Sequence, residues 1–226
     1  MAFSVVDKCC DKCGNTSSDP CAGFVQCRSE GPFCHEDDKC KSKLSSHINS
    51  LKRDDVKKPV LFIGTGTCGL GAGALKTLAQ IKSYIKNKGL DVEIIEVGCI
   101  GLCSEEPIMD VQLPGKKRVS FSKVTDKNVD KILDAVFAGK DISNYAFVQF
   151  GNEKLSSWNN VPLMKEHSFF KNQTRWVLEN CGVIDPTSID EYMAHDGYKA
   201  LSKALSQHTS KEICDVIEKS GLRGRG

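Results

Sequence analysis

The sequence has no long apolar run. No window of its 226 residues approaches the ~18 consecutive apolar residues of a transmembrane helix. Its first residues, Met-Ala-Phe-Ser-Val-Val-Asp-Lys, lack the apolar core of a signal peptide. We therefore expect a cytoplasmic protein without direct membrane insertion.

An excess of one charge is also missing. The net charge is +2, from 31 lysines and arginines against 29 aspartates and glutamates. Because proteins that bind nucleic acid usually carry a marked basic excess, we expect no nucleic-acid partner. The hydrophobic fraction of 40% is enough for one large domain or two small ones with a packed core.

Cysteine, in contrast, is abundant, and 7 of the 12 cysteines lie in the first 40 residues. Aliphatic residues are few there, so a metal or a neighbouring domain must order the segment. Without a visible export signal, metal ligation is a better interpretation than disulfides. We predict zinc or an iron–sulfur cluster within residues 1–55, against the alternative of a loose tail with incidental thiols. The predicted ligands are Cys10, Cys13, Cys34 and Cys40. Further candidates are His35, Cys9, Cys21 and Cys27.

Residues 60–103 have the pattern of a β-α-β unit. The predicted elements are a strand at 59–63, a glycine-rich loop at 64–71, a helix, and a strand at 92–97. The helix has apolar residues at helical spacing: Leu75, Leu78, Ile81 and Ile85. Loops at the C-terminal ends of parallel strands lie side by side, so Cys68, Cys99 and Cys103 should converge. Convergent thiols in a reducing compartment indicate metal or redox chemistry.

A hairpin and a helix follow this unit. The hairpin strands are predicted at 107–113 and 117–121, and the helix begins near Thr125, a plausible N-cap. Its inward residues are predicted to be Val129, Ile132, Leu133 and Val136. The order βαβ then ββα predicts an α/β thioredoxin-like domain over residues 56–145. The Cys-rich segment precedes this domain, and a small helical segment follows it.

Two other interpretations of the glycine loop are weaker. Gly64-x-Gly66-x-x-Gly69 matches a dinucleotide fingerprint, but the chain lacks the further βα repeats of a Rossmann sheet. A thiol–disulfide oxidoreductase needs a Cys-x-x-Cys pair between the first strand and its helix, and none is present.

The motif Gly-Cys-Ile-Gly-Leu-Cys at 98–103, followed by Glu-Pro, resembles the second cysteine pair of thioredoxin-like [2Fe–2S] ferredoxins. The resemblance implies a [2Fe–2S] cluster held by Cys99, Cys103 and Cys68. The family's remaining cysteine falls near position 63, where this chain has Ile63. Because such a cluster usually takes four ligands, the departure leaves three possibilities. The fourth ligand comes from Thr65, Thr67 or the N-terminal cysteines, or the thiols serve otherwise, or the domain is a cluster-free scaffold for docking.

Residues 146–226 have a helical pattern after a short strand at 145–150. Helices are predicted at 170–180, after Asp185-Pro186 and at 197–205, and a Thr209-x-x-Glu212 capping box opens the last one. Cys214 is expected in a helix interface.

The same segment resembles the N-terminal part of the NADH-binding flavoprotein subunit of complex I and of soluble NAD-linked hydrogenases and formate dehydrogenases. The motifs are Arg-Trp-Val-Leu-Glu-Asn-Cys-Gly at 175–182, Gly-Tyr-Lys-Ala-Leu at 197–201 and Ser-Gly-Leu-Arg-Gly-Arg-Gly at 220–226. In that family the last run begins a glycine-rich loop that binds FMN and NADH, which implies that Gly224, Arg225 and Gly226 bind cofactor.

The resemblance implies the N-terminal portion of a subunit that passes electrons from NADH through FMN and iron–sulfur centres to a partner subunit. We expect the other subunits of a multi-subunit NAD-linked redox complex as partners. FMN, NAD and a [4Fe–4S] cluster are expected only in the remainder of the flavoprotein. Residues 1–226 alone should not oxidise NADH. The alternative is a metal-binding adaptor that docks a partner.

Overall fold

The protein is represented by a computed structural model that describes residues 38–224, with the side chains of 38–44 left out. The predicted ligands Cys10, Cys13 and Cys34 therefore lie outside the described residues, and the side chain of Cys40 is not described. The described chain divides into two compact units. The sheet unit comprises residues 53–189, and the helical unit comprises residues 38–52 and 190–224. The domain limits predicted at 55 and 145 stay predictions.

The strands are β1 (Val60–Gly64), β2 (Glu93–Val97), β3 (Met109–Gln112), β4 (Val119–Phe121) and β5 (Ala146–Gln149). The helices are α1 (Asp38–Leu51), α2 (Thr67–Ala72), α3 (Ala74–Lys88), α4 (Val129–Phe137), α5 (Ile189–Ala194), α6 (Lys199–Gln207) and α7 (Ser210–Lys219). Short 3₁₀ turns lie at Cys103–Glu105 and Met164–Glu166.

The five strands form one mixed sheet in the order β2-β1-β3-β4-β5. β1 and β2 are parallel, with Val60 opposite Glu93 and Gly64 opposite Val97. The pairs β1–β3, β3–β4 and β4–β5 are antiparallel. This arrangement of a βαβ unit beside a β-hairpin and a helix confirms the predicted thioredoxin-like fold.

The side chains of β1 alternate across the sheet, and a core on each face buries them. Leu61 and Ile63 join the larger core, which α3 and α4 cover, and Val60 and Phe62 join a smaller core on the opposite face. On α4 the four residues predicted to face inward are all buried. Leu75, one of the apolar residues at helical spacing on α3, is 60% exposed.

Two predicted boundaries are wrong. The glycine loop ends early, because residues 67–72 form the short helix α2 and Gly73, in a left-handed conformation, separates it from α3. Helix α4 begins at Val129 with Asn128 as its N-cap residue, and Thr125 is not the cap. The backbone N–H of Thr125 instead donates to the Asn128 side chain in the turn that precedes the helix.

The predicted helix at 170–180 is also wrong, since those residues form successive turns. Its apolar residues Trp176, Val177 and Leu178 are consecutive, so they do not share one helical face. All three are well exposed, at 83%, 91% and 57%. A short helix without a buried face is not stable, and the turn is instead held by Arg175, which donates to the carbonyls of Leu178 and Cys181.

The helical unit contains α1, most of α5, α6 and α7. The predicted capping box of α7 is confirmed: the Glu212 backbone N–H donates to Thr209 Oγ1, and the Glu212 carboxylate accepts from the Thr209 backbone. Cys214, predicted to pack in a helix interface, is exposed. Within the stretch from 38 to 224, no helix is both long enough and apolar enough to cross a bilayer.

Candidate metal centre

The first side of the site is the loop between β1 and α2, which carries Cys68 in the first turn of α2. Gly69 packs directly against the carbonyl oxygen of Gly64, so no side chain fits at position 69. A Cβ on Gly66 would lie 3.3 Å from the backbone nitrogen of Cys99. These close backbone contacts hold Cys68 at the C-terminal end of β1, next to the loop that follows β2.

The second side is the Cys-x3-Cys loop after β2. Ile100 and Leu102 point inward and are 7% and 8% exposed, where they pack with Ile108 and Phe170. Gly101 has φ +95°, a conformation that favours glycine, and its N–H donates to Cys99 Sγ over 3.2 Å. The alternation of apolar and cysteine residues leaves Cys99 partly exposed and Cys103 exposed.

The structure brings the three sequence-predicted thiols together. Cys68 Sγ lies 3.1 Å from Cys103 Sγ, Cys99 Sγ lies 3.7 Å from Cys103 Sγ, and all three sulfurs lie within 4.8 Å of one another. All three are free thiols. Two thiolates on one tetrahedral ion at ~2.3 Å from each sulfur would be roughly 3.8 Å apart, so the spacing suits metal ligation.

The surroundings of the thiols favour their protonated form in the absence of a cation. Burial raises the pKa of Cys99 to about 12, with smaller contributions from Cys103 and Glu106. The pKa of Cys68 is raised chiefly by its hydrogen bond with Cys103. A metal ion reverses this preference because a coordinating thiol is deprotonated, so the site suits a cation better than it suits free thiolates.

Sequence reasoning did not assign a role to Glu106, which lies beside the thiols. Glu106 is 8% exposed, and its Oε2 accepts the backbone N–H of Ile108 over 2.8 Å. Burial raises the pKa of this carboxyl group, and its interaction with Cys99 opposes the shift. The signal in the sequence is the Glu-Glu-Pro run directly after the Cys-x3-Cys loop.

Residues 182–183 pack against the Cys-x3-Cys loop, a contact that the sequence did not predict. A side chain at Gly182, where φ is +74°, would overlap Ile100. The guanidinium of Arg118 donates to the carbonyls of Gly182 and Val183, each over 2.7 Å, and pairs with the buried Asp110. The thiol loop is therefore packed on a fixed backbone segment.

Thr65 and Thr67, predicted as alternative ligands, lie in the segment between β1 and Cys68. Thr65 is partly buried, with its backbone N–H bonded to Val97, and Thr67 is exposed at the start of α2. Gly224 follows α7 in the helical unit. Arg225 and Gly226 lie outside the described residues.

The fold and the three thiols define a thioredoxin-like domain with a candidate iron–sulfur or zinc site. No protein-family model matches the chain. The chain is 52% identical over 56 residues to an NADP-reducing hydrogenase subunit, HndC, of Solidesulfovibrio fructosivorans, a match that covers 25% of this chain and 11% of that protein. It is 44% identical over 50 residues to an NADH-quinone oxidoreductase subunit of Rhizobium meliloti, covering 22% of this chain and 12% of that protein.

A third relative matches over a longer range. Another NADP-reducing hydrogenase subunit of the same Solidesulfovibrio species, HndB, is 24% identical over 95 residues, covering 41% of this chain and 75% of that protein. Among solved structures, the thioredoxin-like [2Fe–2S] ferredoxin of Aquifex aeolicus matches with a TM-score of 0.36 and 15% identity, covering 45% of this chain and all of that one. The chain thus has homologues among hydrogenase and NADH-quinone oxidoreductase subunits, as its motifs predicted.

The chemistry of the donors suits a [2Fe–2S] cluster. Iron–sulfur clusters are held mainly by cysteine thiolates, and the described residues bring three of them together. Ile63, at the position of the family's remaining cysteine, is fully buried in the larger core and has no donor atom. The described residues therefore offer three cysteine thiols that could hold a cluster.

Proposed function

We propose that the chain is the N-terminal portion of a NADH-dependent flavoprotein oxidoreductase subunit, which passes electrons from NADH through FMN and iron–sulfur centres to a partner subunit. The observation that carries the proposal is the meeting of Cys68, Cys99 and Cys103 at one edge of a thioredoxin-like sheet. The similarity to HndC and to the Rhizobium oxidoreductase supports it, although the chain spans only 11% and 12% of those two relatives.

In this proposal Cys68, Cys99 and Cys103 hold a [2Fe–2S] cluster. When bound, the cluster supplies one-electron transfer at a potential that its ligands and surroundings set. The protein orients the thiols through the backbone contacts of Gly66 and Gly69. Ile100 and Leu102 close the inner side of the loop to water, and the exposed Cys103 faces the side from which a partner subunit would approach.

The remaining regions are assigned within the same proposal. Residues 1–55 bind zinc or an iron–sulfur cluster, residues 56–145 form the ferredoxin domain, and residues 146–226 begin the flavoprotein domain. Gly224, Arg225 and Gly226 begin the loop that binds FMN and NADH, because glycine lets backbone N–H groups approach phosphate closely. The partners are the other subunits of an NAD-linked redox complex. A reducing compartment such as the cytoplasm suits the free thiols.

Metal analysis of the 226-residue chain tests this assignment. The seven N-terminal cysteines are replaced with serine in the full-length chain, so that only the described thiols can hold a cluster. Anaerobic reconstitution should give iron and sulfide in equal amounts and an electron paramagnetic resonance (EPR) signal on reduction. Cys99→Ser should abolish both, whereas the matched control Cys214→Ser, which changes an exposed thiol of the helical unit, should change neither.

Two results would contradict the proposal. The first is a chain that takes up no iron and sulfide, and the second is equal uptake in the Cys99→Ser and Cys214→Ser proteins. A separate anaerobic assay with NADH and a dye should show no turnover by residues 1–226 alone.

A second candidate is a zinc-binding adaptor that docks a partner without transferring electrons. The compact triangle of sulfurs within 4.8 Å favours it, since a single tetrahedral zinc ion needs ligands that close together. One zinc per chain at these thiols, without iron or sulfide, would establish the adaptor. The ferredoxin-like interpretation is preferred because of the similarity to HndC and HndB.

A further inference from the structure

We propose that the carboxylate of Glu106 is the fourth protein ligand of the cluster at Cys68, Cys99 and Cys103. The inference rests on the function proposed above, because it assigns the ligand that the three thiols leave open. A [2Fe–2S] cluster usually takes four protein ligands, and carboxylate oxygen is a regular ligand of first-row metals.

The position of Glu106 supports this assignment. Its carboxylate fills the space beside two backbone positions of the Cys68 loop: a Cβ on Gly64 would lie 3.0 Å from its Oε2, and one on Gly69 would lie 3.3 Å from the same atom. Gly64 ends β1 and Gly69 directly follows Cys68. The carboxylate is thus inserted at the base of the loop that carries only one of the three cysteines.

The Glu106 carboxylate also interacts with the thiols. Its interaction with Cys99 lowers the pKa of the Glu106 carboxyl group, against the larger effect of burial, and its charge is a smaller contribution to the raised pKa values of Cys68 and Cys99. It does not belong to the triangle of donor atoms that lie within 4.8 Å of one another. A [2Fe–2S] cluster divides its four protein ligands between two irons, so its donor atoms need not all lie as close together as those of one tetrahedral ion.

Within the described part of the chain, the charge of Glu106 has no cationic partner. Glu106 is nearly buried, and no lysine, arginine or histidine among residues 45–224 forms an ion pair with it. Its neighbour Glu105 in contrast is paired with Lys123 over 3.5 Å. A buried carboxylate is normally paired or bound to a metal, so a cation at the thiols would supply the missing partner.

The experiment compares four full-length proteins in the background without N-terminal cysteines: the parent, Glu106→Gln, Glu106→Cys and Glu105→Gln. Glu106→Gln keeps the size of the side chain and removes the anionic ligand. Glu106→Cys replaces oxygen with a thiolate, and Glu105→Gln is the matched control next to it. Iron and sulfide content, the rate of iron loss to a chelator and the EPR g values of the reduced protein are measured.

Glu106→Gln should lose iron at least roughly tenfold faster than the parent, since even groups outside the ligand sphere change metal affinity by about 10–100-fold. Glu106→Cys should keep its iron and sulfide, with shifted g values and stronger visible absorption from the additional sulfur-to-iron charge transfer. Glu105→Gln should match the parent in all three measurements.

Glu106→Cys keeps the test decisive even if Glu106→Gln fails to fold. If Glu106→Cys has the g values, absorption and iron-loss rate of the parent, Glu106 is not a ligand and the proposed function is unaffected. If the parent protein itself takes up no iron and sulfide, the proposed function fails, and the ligand assignment fails with it.

Discussion

The two units of the chain use amphipathic helices in different ways. In the sheet unit, α4 buries its apolar face, and none of the four residues is more than 4% exposed: Val129, Ile132, Leu133 and Val136. In the helical unit, α6 and α7 have an equally regular pattern, but four of their large apolar residues are 50–59% exposed: Leu201, Leu205, Val216 and Ile217.

This difference in burial shows what a helical pattern in the sequence can and cannot predict. Helical periodicity predicts which residues share a face, whereas burial depends on the surface that packs against that face. In the sheet unit β1, β3 and β4 provide that surface. The exposed face of α6 and α7 is what we expect of a segment that belongs to a larger flavoprotein domain, as proposed above.

The largest expected loss of stability comes from breaking the buried ion pair of the sheet unit. Arg118→Met leaves the Asp110 carboxylate, whose side chain is 3% exposed, without its cation, and it removes the donors to Gly182 and Val183. We expect the free energy of unfolding to fall by about 3–5 kcal/mol, measured by urea denaturation with Trp158 as the buried fluorescent reporter.

The control for this prediction is an exposed pair in the helical unit. Lys199→Met breaks the contact with Asp196, whose side chain is 63% exposed, and should cost no more than about 1 kcal/mol. Replacing both Arg118 and Asp110 with apolar residues should recover much of the lost stability. Equal losses of unfolding free energy in Arg118→Met and Lys199→Met would contradict the expected difference between a buried and an exposed ion pair.

Truncation of one leucine in each unit tests packing directly. Leu133→Ala creates a cavity in the core and should cost about 2–5 kcal/mol, whereas Leu205→Ala, at a residue that is 59% exposed, should change stability by at most about 0.5 kcal/mol. Urea denaturation followed by fluorescence and by circular dichroism measures both. A large cost for Leu205→Ala would mean that its side chain is buried in solution.

A smaller and pH-dependent effect concerns the contact between α3 and α4. The Tyr84 hydroxyl donates to Asp134 over 2.8 Å, and burial together with this bond raises the pKa of Tyr84 to about 12. Because the folded state holds the proton more tightly than the unfolded chain, this stabilisation is complete below about pH 10 and is lost as the pH rises towards 12. Tyr84→Phe should cost about 1 kcal/mol at neutral pH and remove that alkaline component.

Absorbance at 295 nm against pH measures this titration directly. The difference between the parent and Tyr84→Phe should be one phenol that ionises near pH 12. A difference curve centred at the ordinary value of about 10 would show that Tyr84 is not shielded from water.

The smallest expected effect lies in the helical unit. Thr209→Ala removes the side-chain acceptor of the Glu212 N–H at the start of α7 and should cost about 0.5 kcal/mol of helix stability, at the low end for an N-cap. Thr209→Ser keeps the hydroxyl group and is the matched control. Thermal melts at 222 nm compare the three proteins, and a loss of sheet-unit fluorescence in Thr209→Ala would contradict a local effect.

Much of the sheet unit was predictable because its patterns are local. The apolar run of β1 and the helical spacing of Val129 and Leu133 both fix elements without reference to distant residues. The helix expected at 170–180 failed because the run of Trp176, Val177 and Leu178 has no helical spacing, and the backbone there is instead held by Arg175. That bond depends on turn geometry rather than on periodicity.

For the site, topology was sufficient to bring three thiols together, since parallel strands end at the same edge of a sheet. Glu106 could not be assigned from the sequence, because its meaning depends on burial beside Gly64 and on the lack of an ion pair with any described residue. The role of Arg118 also depends on the folded structure. Its partners lie 8 residues away at Asp110 and 64 and 65 residues away at Gly182 and Val183.

The close packing of Gly69 on the carbonyl of Gly64 means that the placement of one sulfur depends on a residue with no side chain. A single methyl group at position 69 would push α2, and Cys68 with it, away from the end of β1. Such a change would leave every reactive group in the chain intact while separating the thiols that must act together. A survey of chemically reactive residues would overlook this position, although the domain has no room there for even the smallest side chain.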